Sequence, residues 1–355
     1  MKILLVGGGT LGSVNPLLAI ASAIKIKDTA IDIVFWGSKN PFEKQFVEEY
    51  GFELIPIPSG KYRRYFSFLN IMDFFKIIYA GFFVYQKLKI MKPDWILTAG
   101  SFVAVPVAWA AKKLNLKVLM YQQDAELGMA NKYISKIAVK RIATAGLIAK
   151  NIPGESDTLG FAIRKELLFG RAENTYRKYN LNPQKPVLLV IGGSSGALSL
   201  NHKFVACIKF LPAEIQILHI TGVGKSVSTE NRQNYHSISF TNNELPDLYA
   251  AANFIVSRAG SNALAELVAL KKPALIVPLP NTQQEKNAEY LHACGGLVIS
   301  QDKLEPEIFA KIIAENILNP EKLEILSRNI ANIWQTDGAD KIAELILKTN
   351  NVTNR

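Results

Sequence analysis

The stretch from Phe254 to Asn287, FIVSRAGSNALAELVALKKPALIVPLPNTQQEKN, constrains the fold more than any other. A short apolar run, FIVS, ends at Arg258, Ala259 and Gly260. Ser261 and Asn262 then offer N-cap chemistry to a helix, ALAELVAL. Leu264, Leu267, Val268 and Leu270 recur at helical spacing, so one face is apolar. Lys271, Lys272 and Pro273 end that helix, with cations where its C-terminal dipole favours them. ALIVPLP has the composition of a buried parallel strand. The turn at 259–262 leaves backbone N–H groups free at a helix N-terminus, which is an anion site. Glu266 follows one helical turn later on the same side. A carboxylate so close to an anion site suits hydroxyl recognition, and a ribose supplies hydroxyls. The plainer alternative is an ordinary βαβ unit with an exposed glutamate.

A second unit of the same kind opens the chain. KILLV, Lys2 to Val6, runs into Gly7, Gly8, Gly9, Thr10, Leu11 and Gly12, and then into the apolar helix LLAIASAIK. Strand, glycine-rich turn and helix make a Rossmann-like start. Gly7, Gly9 and Gly12 fit G-x-G-x-x-G, so a dinucleotide competes as the ligand. Asp32 weighs against it. It begins the second strand, IDIVFWG, whereas a ribose-binding acid would end that strand. A third such unit, PVLLVIGGSSGALSLN, places Gly192, Gly193, Ser194, Ser195, Gly196 and Ala197 before a helix. Small residues there let a phosphate approach the backbone.

At 355 residues the chain suits two domains, each able to bury a core. Apolar content of 49% and charged content of 20% exclude a disordered chain. Cys207 and Cys294 have no framework or metal spacing, which fits a reducing cytoplasm. The N-terminus reads as a strand and not as a signal peptide. Residues 150–165 are polar, contain Pro153 and Gly154, and mark a domain boundary. The predicted domains are 1–160 and 161–355, with the last helix able to pack back on the first.

The net charge of +11 is uneven: residues 1–160 hold 20 Lys/Arg against 12 Asp/Glu. A basic half points to an anionic partner. Residues 59–92 concentrate it, with Lys61, Arg63, Arg64, Lys76, Lys87, Lys89 and Lys92 against Asp73 alone. Aromatics run through this stretch from Tyr62 to Tyr85. Asn70, Asp73 and Lys76 interrupt it, so it does not span a membrane. It suits an anionic membrane surface engaged through residues 61–89. The alternatives are a core helix and, without any supporting motif, a nucleic-acid groove; no nucleic-acid partner is expected.

These motifs resemble the MurG family of bacterial UDP-N-acetylglucosamine transferases, in glycosyltransferase family 28. RxGxxxxxE, a strand ending in proline and QQxxNA form that family's donor-sugar signature, here from Arg258 to Ala288. The 192–197 run matches its GGSxGA loop. KPD before a glycine-bearing turn also matches, at Lys92, Pro93 and Asp94, as do Asn131 and Lys132. Gly160 and Arg164 fall where the family has GNPVR. Departures cluster in the N-terminal half. Leu11 replaces a glycine of GGTGGHxxP and Ser13 replaces its histidine. Ser101 replaces a glycine. Of HEQNxxxG only Gln123 and Gly128 remain, with Asp124 in place of an amide.

The resemblance implies an α/β GT-B fold, with two Rossmann-like parallel-sheet domains facing a cleft. It implies inverting transfer of N-acetylglucosamine from UDP-N-acetylglucosamine to a lipid-linked muramoyl pentapeptide. That places the protein peripherally at the cytoplasmic face of the cell membrane, with no cofactor and no metal. It implies substrate binding by Thr10, Leu11, Gly12, Asp124, Arg164, Ser194, Thr241, Ser261, Asn262, Ala263, Leu264, Ala265, Glu266, Gln283, Gln284 and Asn287. Gln283, Gln284 and Asn287 carry amides that can donate to and accept from sugar hydroxyls.

The acceptor hydroxyl needs a base, and Ser13 cannot serve near neutral pH. Asp124 or Glu126, on one loop, is the expected replacement. The alternatives are a related transferase with another lipid acceptor, a non-catalytic UDP-sugar-binding protein, and a nicotinamide enzyme.

Overall fold

The computed structural model describes residues 1–59, 68–193, 196–228, 232–331 and 333–353, with no side-chain description at 68–78 and 350–353. The chain divides into two compact units, Met1–Arg164 with Gln335–Arg355, and Lys165–Trp334.

The first unit contains strands β1 (Lys2–Val6), β2 (Asp32–Gly37), β3 (Leu54–Pro56), β4 (Trp95–Thr98), β5 (Val118–Gln122), β6 (Lys140–Ala143) and β7 (Asp157–Thr158). They form one sheet in the order β3-β2-β1-β4-β5-β6-β7. Every pairing is parallel. Parallel strands need crossovers, and helices supply them. These are α1 (Leu11–Lys27), α2 (Pro41–Glu48), α3 (Phe68–Met91), α4 (Ala104–Lys113), α5 (Met129–Ile134) and α6 (Gly146–Ala149).

The second unit holds α7 (Ala172–Lys178), β8 (Val187–Ile191), α8 (Leu198–Cys207), β9 (Gln216–Ile220), β10 (Tyr235–Ile238), α9 (Leu245–Ala251) and β11 (Phe254–Ser257). It continues with α10 (Ser261–Ala269), β12 (Ala274–Ile276), α11 (Gln284–Ala293), β13 (Leu297–Val298), α12 (Pro306–Ile317) and α13 (Pro320–Ile330). Its six strands run β10-β9-β8-β11-β12-β13, again all parallel. The last helix, α14 (Gly338–Thr353), belongs to the first unit and packs on α1, where Lys27 pairs with Glu344 at 3.0 Å.

Both faces of the second sheet are covered, which explains its near-continuous apolar strands. Leu189, Leu218, Ile255 and Ile276 pack against Leu248, Leu264, Leu267 and Leu291 of α9, α10 and α11. The alternate residues Leu188, Val190, Phe254 and Val256 pack against Phe204 of α8 and Phe309 of α12. The side-chain period of two in a strand sorts one run of residues into two cores.

Two local expectations change. The N-cap of α10 is Gly260, without a side-chain cap; Ser261 opens the helix. The second apolar run is strand only over β12, and its prolines at 278 and 280 lie beyond it. Proline lacks the N–H that a central strand donates. Among the described residues no helix is long and apolar enough to cross a membrane.

Candidate functional site

In the second unit β8 and β11 are neighbours, with Ile191 opposite Ser257. The turns that follow them therefore leave the same end of the sheet side by side. This is where an open α/β sheet binds ligands. After β8, a Cβ on Gly192 would lie 2.6 Å from the Ala197 backbone nitrogen, so the turn closes only around glycine. Gly193 has φ +87°, and its missing side chain faces open space. Ser194 lies outside the described residues. After β11, Gly260 likewise faces open space, and α10 begins at Ser261. The first turn of α10 carries no acidic residue, so its backbone donors at Ser261, Asn262 and Ala263 keep their positive potential.

Glu266 sits one turn into α10, buried with Leu264 and Ala265. Its Oε2 accepts a 2.9 Å hydrogen bond from the Tyr249 hydroxyl of α9. The glutamate is therefore not a solvated surface charge. It is a carboxylate held in place beside the turn before α10. Asn287 of α11 is also buried, and its Nδ2 donates to Ala259 O at 3.1 Å and Ser261 Oγ at 3.3 Å. It ties α11 to the turn before α10. Gln284 Oε1 accepts from Leu279 N at 3.0 Å, and Gln283 is the half-buried N-cap of α11. Thr241 lies before α9, where its Oγ1 accepts from Glu244 N at 3.2 Å.

Arg258 opens the RxGxxxxxE motif, but the sequence pattern did not reveal its contacts. It is 2% exposed. Its Nη1 donates to Val277 O and Pro278 O, and its Nη2 to Ser199 Oγ and Gln301 Oε1. All four partners are neutral. Burial lowers its pKa to about 10, so it stays cationic at neutral pH. One buried cation thus joins the end of β11, the end of β12 and the first turn of α8.

The first unit builds its own loop cluster at the ends of β1, β4 and β5. Thr10 is the exposed N-cap of α1, without a side-chain cap bond. Leu11 is buried in the first turn and Gly12 is exposed there. Ser13 Oγ accepts from Gly8 N at 2.9 Å and donates to the carbonyls of Gly8 and Thr10. The serine hydroxyl fastens its own loop. Glu43 of α2, 1% exposed, accepts from Ser38 Oγ at 2.8 Å and Ser38 N at 3.3 Å. It fills the space beside Gly8, where a Cβ would come within 2.9 Å of it.

The 122–128 loop is organised by Gln122. Its Nε2 donates to Asp124 O at 2.7 Å and Glu126 O at 3.0 Å, and its Oε1 accepts from Asn131 Nδ2 at 2.6 Å. A carboxylate at 122 could not donate to those carbonyls. Gln123 Nε2 reaches Gly12 O at 3.3 Å, which brings this loop against the first glycine-rich turn. Asp124 is half-buried and Glu126 exposed. Tyr121, wholly buried, donates to Gly160 O and accepts from Ala162 N. It anchors the segment that leads to Arg164. Arg164 is buried, with Nη1 2.8 Å from the Tyr50 hydroxyl and its guanidinium over the Phe46 ring.

Comparison with known proteins decides the family. Residues 3–143 match the glycosyltransferase family 28 N-terminal domain, and residues 187–346 match the glycosyltransferase family 28 C-terminal domain. The chain belongs to glycosyltransferase family 28. A UDP-N-acetylglucosamine--N-acetylmuramyl-(pentapeptide) pyrophosphoryl-undecaprenol N-acetylglucosamine transferase of Clostridium botulinum is 34% identical, covering 98% of this chain and 99% of that one. A protein of the same name from Lachnospira eligens is 32% identical over 97% of this chain and 98% of its own. Among solved structures, Acinetobacter baumannii MurG has a TM-score of 0.73 at 21% identity, covering 98% of this chain and 99% of that one. An S. aureus MnaA–UDP co-structure has a TM-score of 0.74 at 12% identity, covering 100% and 98%. These likenesses show the fold, which is GT-B: two parallel-sheet α/β domains. Ser101 holds φ +109°, a region that favours glycine.

Proposed function

We propose that this protein transfers N-acetylglucosamine from UDP-N-acetylglucosamine to a lipid-linked muramoyl pentapeptide, with inversion at the anomeric carbon. The observation that carries this reading is the 34% identity with the clostridial transferase over 98% of the chain. The second unit is the donor domain and the first the acceptor domain. The helix N-terminus at Ser261, Asn262 and Ala263, with Leu264 and Ala265 behind them, receives the diphosphate together with Ser194. Glu266, oriented by Tyr249, accepts from the ribose hydroxyls, and Thr241 lies towards the base. Gln283, Gln284 and Asn287 read the sugar, and Asn287 also holds the turn before α10. Thr10, Leu11, Gly12, Asp124 and Arg164 are the first unit's substrate-binding residues.

In the reaction the acceptor oxygen attacks the anomeric carbon, the bond from that carbon to UDP breaks, and UDP leaves with the electron pair. The acceptor proton goes to a carboxylate. Asp124 is the base: Ser13 is tied into its own loop, and Gln123 brings the Asp124 loop to Gly12. Preorganised donors at the departing diphosphate stabilise its developing charge.

The lipid acceptor requires a membrane surface. Exposed Tyr79, Phe82 and Ile90, with Lys87, Lys89 and Lys92, give α3 and its end an apolar and basic character that supports peripheral association. Residues 61–67 of the proposed patch lie outside the described residues.

The test is UDP release from UDP-N-acetylglucosamine with and without the lipid-linked muramoyl pentapeptide. Acceptor-dependent release supports the assignment. Binding of the donor with no release under either condition leaves a UDP-sugar-binding protein instead.

A further inference from the structure

The loop after β9 reads Thr221, Gly222, Val223, Gly224, Lys225, and no site residue is assigned to it above. β9 is the neighbour of β8 on the side away from β11. The loop therefore leaves the same end of the sheet as the two donor turns. Gly196 has φ +67°, and a Cβ there would lie 2.4 Å from Thr221 O and 2.7 Å from Gly222 Cα. The 192–197 turn and the 221–225 loop are thus packed backbone to backbone. Gly222 and Gly224 also hold positive φ, at +91° and +68°, which lets the loop fold back sharply.

A buried network fixes this loop. Asn201, wholly buried in α8, donates through Nδ2 to Thr221 O and to Lys225 O, each at 2.9 Å. With both amide hydrogens committed, its Oδ1 must accept, and His219 Nε2 lies 3.2 Å away. His219 therefore carries its proton on Nε2, and its Nδ1 accepts from the Tyr235 hydroxyl at 3.0 Å. Burial holds the His219 pKa down to about 4, so the ring stays neutral and the orientation persists at working pH. Such a chain of buried polar groups rigidifies the backbone it ends on.

What the network holds is Lys225. Its Nζ donates to Gly196 O at 3.2 Å, inside the turn whose Gly193 faces open space. Gly196 N in turn donates to Gly193 O at 2.8 Å, so this is one tight turn with a lysine ammonium set against it. An ammonium has three donors in a tetrahedral array and can serve a backbone carbonyl and a phosphate oxygen together.

We propose that Lys225 is a donor-binding residue that contacts the diphosphate of the UDP-sugar, supplying a full positive charge where the backbone N–H groups supply only partial charge. The proposal rests on the reading of the 192–197 turn as a diphosphate site. It adds a charged residue to that site and assigns the β9 loop a function. As the sugar bond breaks, the same ammonium meets the charge that develops on the departing UDP.

The test is titration calorimetry of UDP and of uridine against the full-length protein and its Lys225→Met and Lys225→Arg variants. Lys225→Met should weaken UDP by about 10-fold or more, the scale of a lost charge-assisted hydrogen bond, with uridine changed by less than about twofold. Lys225→Arg should restore most of the UDP affinity. The UDP difference between wild type and Lys225→Met should shrink as salt rises. Equal losses for UDP and uridine would make Lys225 a structural prop for the loop and overturn the proposal. Unchanged UDP affinity would overturn it too. If the wild-type protein itself binds uridine as tightly as UDP, the diphosphate reading of the turn fails, a result separable from either of these.

Discussion

The Tyr249 hydroxyl donates a 2.9 Å hydrogen bond to Glu266 Oε2, and both side chains are buried between α9 and α10. The tyrosine thereby helps to fix the orientation of the carboxylate. Removing the donor leaves a buried acceptor with one partner fewer. Tyr249→Phe should destabilise the protein by about 1–3 kcal/mol and weaken UDP measurably. Glu266→Ala should weaken UDP more than Tyr249→Phe does. Thermal unfolding and UDP titration check this; a Tyr249→Phe protein with wild-type UDP affinity would separate the pair from donor binding.

Ser101 stands at φ +109°, and its buried Oγ has no hydrogen-bond partner among the described residues. Both features disfavour serine and neither penalises glycine. Ser101→Gly should raise stability by about 1 kcal/mol, since relief of backbone strain exceeds the added freedom of the unfolded chain. The check is the midpoint of thermal or urea unfolding. A lowered midpoint would show that the hydroxyl contributes more than the strain it imposes.

Asp124→Asn restores the residue type that the MurG family carries, yet it should lower turnover by about 100-fold or more while UDP affinity stays put. Gln122→Glu should also lower turnover, because a carboxylate cannot donate to the carbonyls of Asp124 and Glu126. Steady-state kinetics with the lipid acceptor decide it. Full activity in Asp124→Asn together with a damaged Glu126→Gln would move the base to Glu126.

His219 gives a pH dependence of known sign. Burial lowers its pKa from 6.5 to about 4 in the folded protein, so between those values the unfolded chain binds more protons. Stability contributed by the neutral ring is fully present above pH 6.5 and is lost as pH falls towards about 4. The loss from this one group is on the order of 3 kcal/mol. His219→Gln should flatten the stability profile across that window, as read by urea unfolding at successive pH values. An identical slope in wild type and variant would assign the acid sensitivity elsewhere, with His236, also lowered by burial, the first group to examine.

Binding to anionic vesicles should fall with added salt, and Phe82→Ser with Lys89→Glu should reduce it further. Phe82 is 63% exposed, so its loss removes membrane contact without opening a core. Flotation with and without salt checks this; binding that ignores both changes would remove α3 from the membrane contact.

The sequence by itself determined the architecture. Apolar runs of strand length, glycine-bearing turns and helical periodicity repeat through both halves, and each run pairs in parallel as its composition demands. Family motifs marked the glycine-bearing turns, because glycine is irreplaceable where a Cβ would meet backbone, as at Gly192 and Gly196. The tertiary structure decided what the polar side chains do. Ser13 reads as a lost histidine, but its hydroxyl closes its own loop. Asn287 reads as a sugar contact, and packing adds that its amide ties the turn before α10. The residues of the line from Tyr235 through His219 and Asn201 to Lys225 carry no motif of their own. Their partners lie on other elements, often tens of residues away, and short-range spacing records only which residues share a turn or a face. Hydrogen-bond geometry between elements exists only once those elements are packed.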